Sequence, residues 1–409
     1  MYKEIKNCRL CDDNDLKDVF SLGYQKLTGF FPKSKNEEIA EGPVDLCLCN
    51  KCGLVQLRQT YDLALMYGDN YGYKSSLNNS MVRHLSNKHN KLNQLLNLEE
   101  GDVVVDIGSN DGTFLNFYPE NLIRIGVDPS AKKFESFYKK NIIIISDFFD
   151  KNSTKKILLN HKKAKLITSI AMFYDLPKPN DFVKDISDLL DDNGIWHFEQ
   201  SYLPLMLDTN SYDTLCHEHL EFYSLRVINK MLIDNGLKLL NIELNDINGG
   251  SIAISACKNN SKLNPNEKII NAFLNDENNM NLESIFTYQK FAENAKKQKS
   301  DLINLLNKLN SEGKKVYGYG ASTKGNVTLQ YCGLTSKEIP LIVEVNSDKF
   351  GSFTPGSNIP IISESEIEKA PDYSLLLPWH FKDFVIDKES EFLKNGGKFI
   401  IPFPEVHIV

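Results

Sequence analysis

The chain has 409 residues, which is more than a single hydrophobic core ordinarily takes, so two or three domains are expected. Hydrophobic residues make up 41% of it and charged residues 25%, as in soluble globular proteins, and the formal net charge of −7 argues against a surface that binds nucleic acid. No stretch approaches the ~20 apolar residues of a membrane helix, and the N-terminus lacks the apolar segment of a signal peptide. We therefore expect a cytoplasmic protein with neither a nucleic-acid partner nor a membrane contact.

Two pairs of cysteines near the N-terminus have the spacing of a metal site. The pairs are Cys8 with Cys11 and Cys49 with Cys52, separated by 37 residues. The turn inside each pair lets both thiolates converge on one ion, and four thiolates fill a tetrahedral site, so we expect a structural zinc ion. Cys47 is predicted to be a spare thiol that points away. The alternative is a set of reduced core cysteines.

Between residues 99 and 258, short apolar runs alternate with amphipathic stretches. The runs are VVVDIG, IRIGVD, NIIIIS, KLITSIA and GIWHFEQ, and they predict a doubly wound parallel sheet. A long helical stretch, FTYQKFAENAKKQKSDLINLLNKLN, is expected to bridge to a second, shorter α/β pattern that begins near Lys314. The predicted domains are an N-terminal module over residues 1–75, a central α/β domain over 76–258 and a C-terminal α/β domain over 259–409.

The central domain begins with the segment VVVDIGSNDGTFL. This segment predicts a buried strand, a glycine turn close to a ligand and the start of a helix. Asp128 ends the next strand, where an acid can accept hydrogen bonds from both hydroxyls of a ribose. A dinucleotide site would need G-x-G-x-x-G, and carboxylates in the turn would repel a pyrophosphate, so the pattern favours S-adenosylmethionine over NAD. The candidate cofactor-binding residues are Asp106, Gly108, Asn110, Asp111, Gly112, Asp128, Asp147 and Phe148, the last two for the adenine.

A dense group of titratable residues, CHEHLE, follows the strand GIWHFEQ. We expect one of its two imidazoles to act as a general base, with Glu218 holding or tuning it. A zinc motif H-E-x-x-H is absent, because Glu221 stands where the second histidine is needed. Histidines that are merely hydrogen-bonded in a core remain an alternative. Cys216 is expected to line the site, because a methyl sulfonium donor needs no covalent enzyme intermediate.

The order of these motifs closely resembles that of the sugar C-methyltransferases, enzymes of deoxysugar biosynthesis that methylate C3 of a nucleotide-linked 4-keto-6-deoxy sugar. The resemblance spans nearly the whole chain, from the C-x-x-C pairs through VDIGSNDGTFL and YDTLCHEHLEFYS to VYGYGASTKGN and LLLPWHF. It implies an α/β protein with a zinc-binding N-terminal module, a central Rossmann-like class I methyltransferase domain and a C-terminal Rossmann-like domain. The last of these would help to hold the nucleotide sugar.

The resemblance also implies roles for single residues. His219 would remove the proton beside the ketone, with Glu218 as its partner and His217 next in line. Tyr71 and Tyr73 would stabilise the enolate oxygen, and the enolate carbon would attack the methyl group in line. The backbone amides of GYGASTKGN can take a pyrophosphate. The candidate substrate-binding residues are Cys216, Asn248, Ser322, Lys324 and His380.

Three other functions compete with this one. The chain could be an O- or N-methyltransferase with the same base, a non-catalytic scaffold, or a protein whose last domain works as a reductase. The scaffold is disfavoured because the cofactor acid, the glycine turn and the HEH motif occur together, and the reductase lacks a complete dinucleotide fingerprint. The expected partner is a nucleotide-sugar substrate, and the expected state is a monomer or a small homo-oligomer.

Overall fold

The structure is a computed structural model that describes residues 1–62, 66, 74–367 and 369–409. Its first strands are β1 (Tyr2–Glu4), β2 (Leu16–Lys26), β3 (Glu41–Cys49), β4 (Val55–Leu57) and β5 (Gln59–Tyr61). β2, β3 and β4 form an antiparallel sheet, and β1 pairs with β5. Residues 221–222, from the central part of the chain, add a fourth strand beside β4. Backbone hydrogen bonds therefore join the N-terminal module to the central unit.

The central unit is built on a seven-stranded sheet. Its strands are β6 (Val103–Ile107), β7 (Ile123–Val127), β8 (Ile142–Ile145), β9 (Ala164–Ile170), β10 (Leu190–Ser201), β12 (Leu237–Asn245) and β13 (Ser251–Lys258), while β11 is Glu221–Phe222. The order is β12-β13-β10-β9-β6-β7-β8, and β13 runs antiparallel to both its neighbours. The strand order reverses at β6, which leaves a crevice at the carboxyl ends of β6 and β9. The predicted α/β sheet is confirmed.

Helices cover both faces of this sheet. The helices of residues 79–311 are α1 (Asn79–Leu95), α2 (Lys151–Asn160), α3 (Pro179–Leu189), α4 (Leu203–Asp208), α5 (Leu225–Asp234), α6 (Glu267–Met280) and α7 (Ile285–Ser311), of which α7 packs away from this sheet. α1 packs Leu85 and Leu92 on one face, and α2, α3 and α5 bury apolar side chains on the other. α6 packs Ile270 and Phe273 against the same central core. The domain limit at residue 258 remains a prediction.

The prediction of a helix directly after the glycine turn is wrong. Leu115–Phe117 forms a single 3-10 turn, and Tyr118 is already extended. Only six residues separate Gly112 from Pro119. A proline disfavours helical geometry in the residue before it and lacks the N–H that would continue the helix, so only one turn fits.

The C-terminal unit is a second α/β layer. Its elements are β14 (Val316–Tyr319), α8 (Thr323–Cys332), β15 (Ile342–Glu344), β16 (Ile361–Ser363), β17 (Tyr373–Leu376), α9 (Lys382–Lys388), α10 (Ser390–Lys394), β18 (Lys398–Ile401) and β19 (His407–Ile408). The order is β16-β15-β14-β17-β18-β19, which reverses at β14.

α7 is the predicted bridging helix. Its Phe291 packs edge-on against Phe20 of the N-terminal module at 5.4 Å between ring centroids, and its Leu302 and Leu306 join the core that contains the C-terminal sheet. Within the described ranges, no helix has both the length and the apolar character that crossing a bilayer requires.

Candidate active site

A cavity of about 780 Å³ lies at the carboxyl ends of β6, β9 and β10. Its walls come from the glycine turn after β6, from the loops that follow β7 to β10 and from residues of the CHEHLE segment. The first turn of α8, after β14, supplies the opposite wall. The cavity therefore lies between the central and C-terminal units and adjoins the switch points of both sheets, where α/β folds bind ligands.

The glycine turn folds back onto Asp128. The N–H of Asn110 donates to Oδ2 of Asp128 at 2.9 Å, and the N–H and hydroxyl of Ser130 donate to Oδ1 at 2.6 and 2.5 Å. Gly108 has a φ of 72°, and a Cβ there would lie 2.9 Å from Cγ of Met172. Asp128 is thus held in the cavity wall, and Oδ2, with one hydrogen bond among the described residues, keeps a lone pair for a ribose hydroxyl.

Asp106 and Phe148 line the same end of the cavity. Thr168 donates a hydrogen bond of 2.6 Å to Oδ1 of Asp106, and burial raises the pKa of Asp106 to about 7. Phe148 is 43% exposed. An aromatic ring left this open beside a cavity suits a flat ligand such as adenine, so this end fits S-adenosylmethionine.

Three residues of the predicted cofactor set do not line the cavity. The carboxylate of Asp111 is buried and accepts the hydroxyl of Thr113 at 2.6 Å. Gly112 lies against the ring of Tyr138, where a Cβ would come within 2.6 Å. Asp147 is exposed and accepts a hydrogen bond from the N–H of the next residue at 2.8 Å. These residues shape the turns around the cavity and do not contact the ligand space.

His219 lies in the cavity wall beside the end of β9. Its Nδ1 lies 2.8 Å from the carbonyl oxygen of Thr214. A carbonyl only accepts, so Nδ1 carries the proton and Nε2 carries the lone pair, to which no residue that the structure describes donates a hydrogen bond. Burial lowers the pKa of His219, and the neighbouring Glu218 opposes this shift. The imidazole is therefore neutral near pH 7 and is able to take a proton at Nε2.

The two residues before Glu218 have different surroundings. Cys216 lines the cavity, and burial, with the charge of Glu218 in addition, raises its pKa well above the usual range, so it stays a thiol. His217 is 1% exposed, packs edge-on against Tyr61 at 4.6 Å between ring centroids and does not line the cavity. The expectation that His217 shares in catalysis therefore finds no support, because its ring is enclosed by the N-terminal module.

The C-terminal side of the cavity carries Ser322, Lys324, Asn248 and His380, which the structure brings together. The ammonium group of Lys324 donates to the carbonyl oxygen of Asn248. Burial lowers the pKa of Lys324, and burial also lowers the pKa of His380, to about 3. The hydroxyl of Ser322 caps the N-terminus of α8. A helix N-terminus beside a half-buried amine suits an anionic ligand.

Tyr71 and Tyr73 lie outside the described residues. Nearby in the chain, the N–H of Ser75 donates to Oδ1 of Asn110 at 3.0 Å, and Ser75 lines the cavity. The start of the segment that leads into α1 is therefore attached to the glycine turn.

An ionic cluster surrounds Glu199, which also lines the cavity, and this cluster was not predicted from the sequence. Nε2 of His84 lies 2.6 Å from Oε1 of Glu199, while Lys88 and Asn245 each lie 2.8 Å from Oε2. Burial alone would raise the pKa of Glu199, but His84 and Lys88 outweigh it and lower the pKa to about 2. The sequence signal for this cluster was an acid, Glu199, at the carboxyl end of a buried strand. His84 and Lys88, its partners in α1, form no recognisable sequence motif.

The four cysteines of the predicted zinc site lie together. All of their Sγ atoms are within 4.8 Å of one another, with 3.6 Å between Cys8 and Cys52 and 3.5 Å between Cys11 and Cys49. Zn–S bonds of ~2.3 Å in a tetrahedron separate the sulfurs by about 3.8 Å, so the thiols fit a zinc ion with four protein ligands. Cys47 is buried outside this cluster, as predicted.

Comparisons with known proteins agree with this architecture. Family profiles match a zinc binding domain at residues 8–67, a methyltransferase domain at 81–242 and a C-methyltransferase C-terminal domain at 246–404. The C-methyltransferase NovU of Streptomyces niveus is 31% identical over 413 positions, which cover 100% of this chain and 97% of NovU. The chain belongs to the sugar C-methyltransferase family.

Solved structures of other methyltransferases are more distant. The magnesium protoporphyrin IX methyltransferase of Synechocystis, solved with bound SAH, is 15% identical and covers 47% of this chain and 91% of its own, with a TM-score of 0.34. A 16S rRNA adenine methyltransferase of Catenulisporales acidiphilia with bound SAM is 9% identical, over 43% of this chain and 90% of its own, with a TM-score of 0.31. Both are too distant to bear on the chemistry of this site.

Membership of the family decides between the competing functions. The enzyme is an S-adenosylmethionine-dependent methyltransferase with a zinc-binding domain, so both predicted cofactors are confirmed, and the non-catalytic scaffold is wrong. Zinc would be held by Cys8, Cys11, Cys49 and Cys52 in a closed structural site. The roles assigned to individual active-site residues remain predictions.

Proposed function

We propose that the enzyme methylates the carbon next to the ketone, C3, of a nucleotide-linked keto deoxysugar, and that His219 generates the enolate. The observation that carries this proposal is the hydrogen bond from Nδ1 of His219 to Thr214, which leaves Nε2 as a base in the cavity wall. Asp128 and Phe148 line one part of this cavity, and Lys324 lines the part that belongs to the C-terminal unit. A base between a cofactor end and a cationic end suits a substrate that carries a diphosphate.

A C–H bond is a poor nucleophile, but a neighbouring ketone makes its proton acidic. In the proposed reaction Nε2 of His219 takes this proton, and the electron pair of the C–H bond moves into the enolate. The resulting imidazolium lies next to Glu218, whose charge already opposes the fall of the His219 pKa. Bound S-adenosylmethionine supplies an electrophilic methyl group on sulfur. Donors for the enolate oxygen are assigned to Tyr71 and Tyr73 from the sequence alone.

We assign the substrate-binding part of the cavity from the charges of the groups that line it. The half-buried ammonium of Lys324 and the first turn of α8 both face the cavity, and His380 is uncharged because burial lowers its pKa to about 3. This arrangement supports binding of a diphosphate at α8 and of the sugar or base beside Asn248 and His380. Deoxysugar biosynthesis is the corresponding biological role.

Isotope exchange tests the enolate. Nucleotide keto sugars are incubated in D₂O with the enzyme and S-adenosylmethionine, and the products are analysed by mass spectrometry and NMR. We expect one added methyl group on carbon and solvent deuterium at the carbon beside the ketone in recovered substrate. Turnover without any exchange, or a methyl group on oxygen or nitrogen, would contradict the proposal and favour an O- or N-methyltransferase.

A further inference from the structure

The turn between the first two zinc ligands carries an arginine whose side chain extends into the interior of the protein. Arg9 lies between Cys8 and Cys11, and its side chain is 2% exposed. Its guanidinium group donates to the carbonyl oxygens of Leu57 and Gln59 at 2.5 and 2.8 Å. These bonds fix the direction of the side chain, because a guanidinium group is planar and its donors have a rigid fork geometry.

The fixed guanidinium group faces a buried acid. Nε of Arg9 lies 3.7 Å from Oε1 of Glu221, whose side chain is 0% exposed. Neither of these two atoms has a hydrogen-bond partner among the residues that the structure describes. Burial raises the pKa of Glu221 well above its usual range, and the charge of Arg9 opposes this shift, so the ionised carboxylate depends on the guanidinium group and removing Arg9 would leave the acid buried without its cationic partner.

Glu221 connects this charge pair to the cavity wall. Its Oε2 accepts the N–H of Leu176 at 3.3 Å. The N–H groups of Leu220 and Glu221 donate to the carbonyl oxygen of Tyr174 at 2.8 and 3.1 Å. The ring of Tyr174 contacts the imidazole of His219 at 4.3 Å between centroids, and Tyr174 and Leu176 both line the cavity.

A second set of contacts holds the same turn. Gln56 donates to Sγ of Cys8 at 3.2 Å and accepts the N–H of Arg9 at 3.1 Å, and it pairs with Glu221 across β4 and β11. The carbonyl oxygen of Leu10 accepts the side-chain amide of Asn180, in the first turn of α3, at 2.5 Å. The zinc turn therefore contacts two segments that follow the cavity-lining residues 174–178.

We propose that Arg9 is a positioning residue, which the zinc turn holds so that it fixes Glu221 and, through the Tyr174–Leu176 segment, the orientation of His219. This inference rests on the proposed role of His219. It gives the zinc site an effect on catalysis that is transmitted by protein contacts, in addition to the folding of the N-terminal module.

Three variants test it: Arg9→Met, Glu221→Gln and the double variant. Arg9→Met should lower kcat about 10–100-fold at unchanged zinc content, with the KM for S-adenosylmethionine within about twofold of the parent. The double variant should regain at least about 10-fold of this loss, because it removes both buried charges. Arg58→Met is the matched control, since Arg58 belongs to the same module but pairs with Asp18, which is largely exposed, and it should leave kcat unchanged.

A readout that needs no substrate is the NMR signal of His219 in protein with ¹³C-labelled histidine, assigned by its loss in His219→Gln. The signal should shift in Arg9→Met, return towards the parent position in the double variant and stay in place in Arg58→Met. If Arg9→Met does not fold, Arg9→Lys replaces it, because the amine keeps the charge but loses the fork of donors. We expect about a 10-fold loss of kcat there.

The inference is overturned if Arg9→Met lowers kcat no more than Arg58→Met does, if the loss follows zinc content, or if the double variant recovers nothing. A parent-like His219 signal in Arg9→Met would also overturn it. Full turnover in His219→Gln would instead refute the proposed function. In that case the zinc content and kcat values of the Arg9 and Glu221 variants still show whether the pair is coupled to catalysis.

Discussion

The imidazole of His219 is oriented by the carbonyl oxygen of Thr214, which lies 2.8 Å from Nδ1. This contact selects the tautomer with a basic Nε2, and the site therefore has one nitrogen that is able to accept a proton without rearrangement. His219→Gln should lower kcat about 10²–10⁴-fold. Binding of S-adenosylmethionine, measured by calorimetry, should be unchanged. A comparable loss in His217→Gln, at unchanged stability, would contradict the choice of base.

The same histidine predicts the pH dependence of turnover. Burial lowers the pKa of His219 from its usual value near 6.5, so the neutral base persists below that value and is lost only as the pH falls through the lowered pKa. The acidic limb of kcat should therefore have its midpoint below pH 6.5. It is measured with saturating substrates in parallel with a thermal-melting series, so that acid unfolding is recognised. A midpoint clearly above 6.5 would show that another group titrates.

Asp128 and Asp147 were both assigned to the cofactor from the sequence, but only Asp128 lines the cavity. Asp128→Asn should weaken binding of S-adenosylmethionine about 10–100-fold, since a hydrogen bond to a charged acceptor is worth ~1.5–3 kcal/mol. Asp147→Asn is the matched control and should bind within about twofold of the parent, because Asp147 is exposed and lies outside the cavity. Calorimetric titration decides between them. Equal effects of the two substitutions would overturn the placement of the cofactor.

Removal of one zinc ligand tests the N-terminal site. Cys11→Ser should lose zinc, as measured by mass spectrometry of the native protein, and should lower the melting temperature, because metal binding contributes folding free energy to a small module. Cys47→Ala removes the thiol two residues before the zinc ligand Cys49, in the same strand, and should keep the metal. Retention of zinc by Cys11→Ser would show that three thiolates are sufficient.

The buried pair of Glu199 and Lys88 has an exposed counterpart in Glu243 and Lys91, where the same helix contacts the sheet again. Glu199→Gln should cost about 3–5 kcal/mol of unfolding free energy, because it leaves Lys88 buried without its partner. Glu243→Gln should cost at most ~1 kcal/mol. Since the pKa of Glu199 is lowered from 4.5 to about 2, its stabilising contribution should be complete above pH 4.5 and be lost as the pH falls towards 2. Denaturant titrations across this range measure both effects.

Patterns along the chain were sufficient for much of this protein. The two C-x-x-C pairs and the strands that carry Asp106 and Asp128 were predicted correctly, because cysteine spacing and the alternation of apolar runs are local properties of a sequence. The one clear local error, a helix after Gly112, came from giving the glycine turn more weight than Pro119.

Contacts between distant segments decided the rest. Three features depend on how elements that lie far apart in the chain cross: which of Asp128 and Asp147 lines the cavity, which histidine of the HEH motif reaches it, and how Glu199 pairs with Lys88. A buried charge is tolerated only where the fold supplies its partner, and no local pattern encodes that pairing. The sequence therefore determined the fold class and the types of functional group that the protein carries. The tertiary structure decided which of these side chains line the cavity.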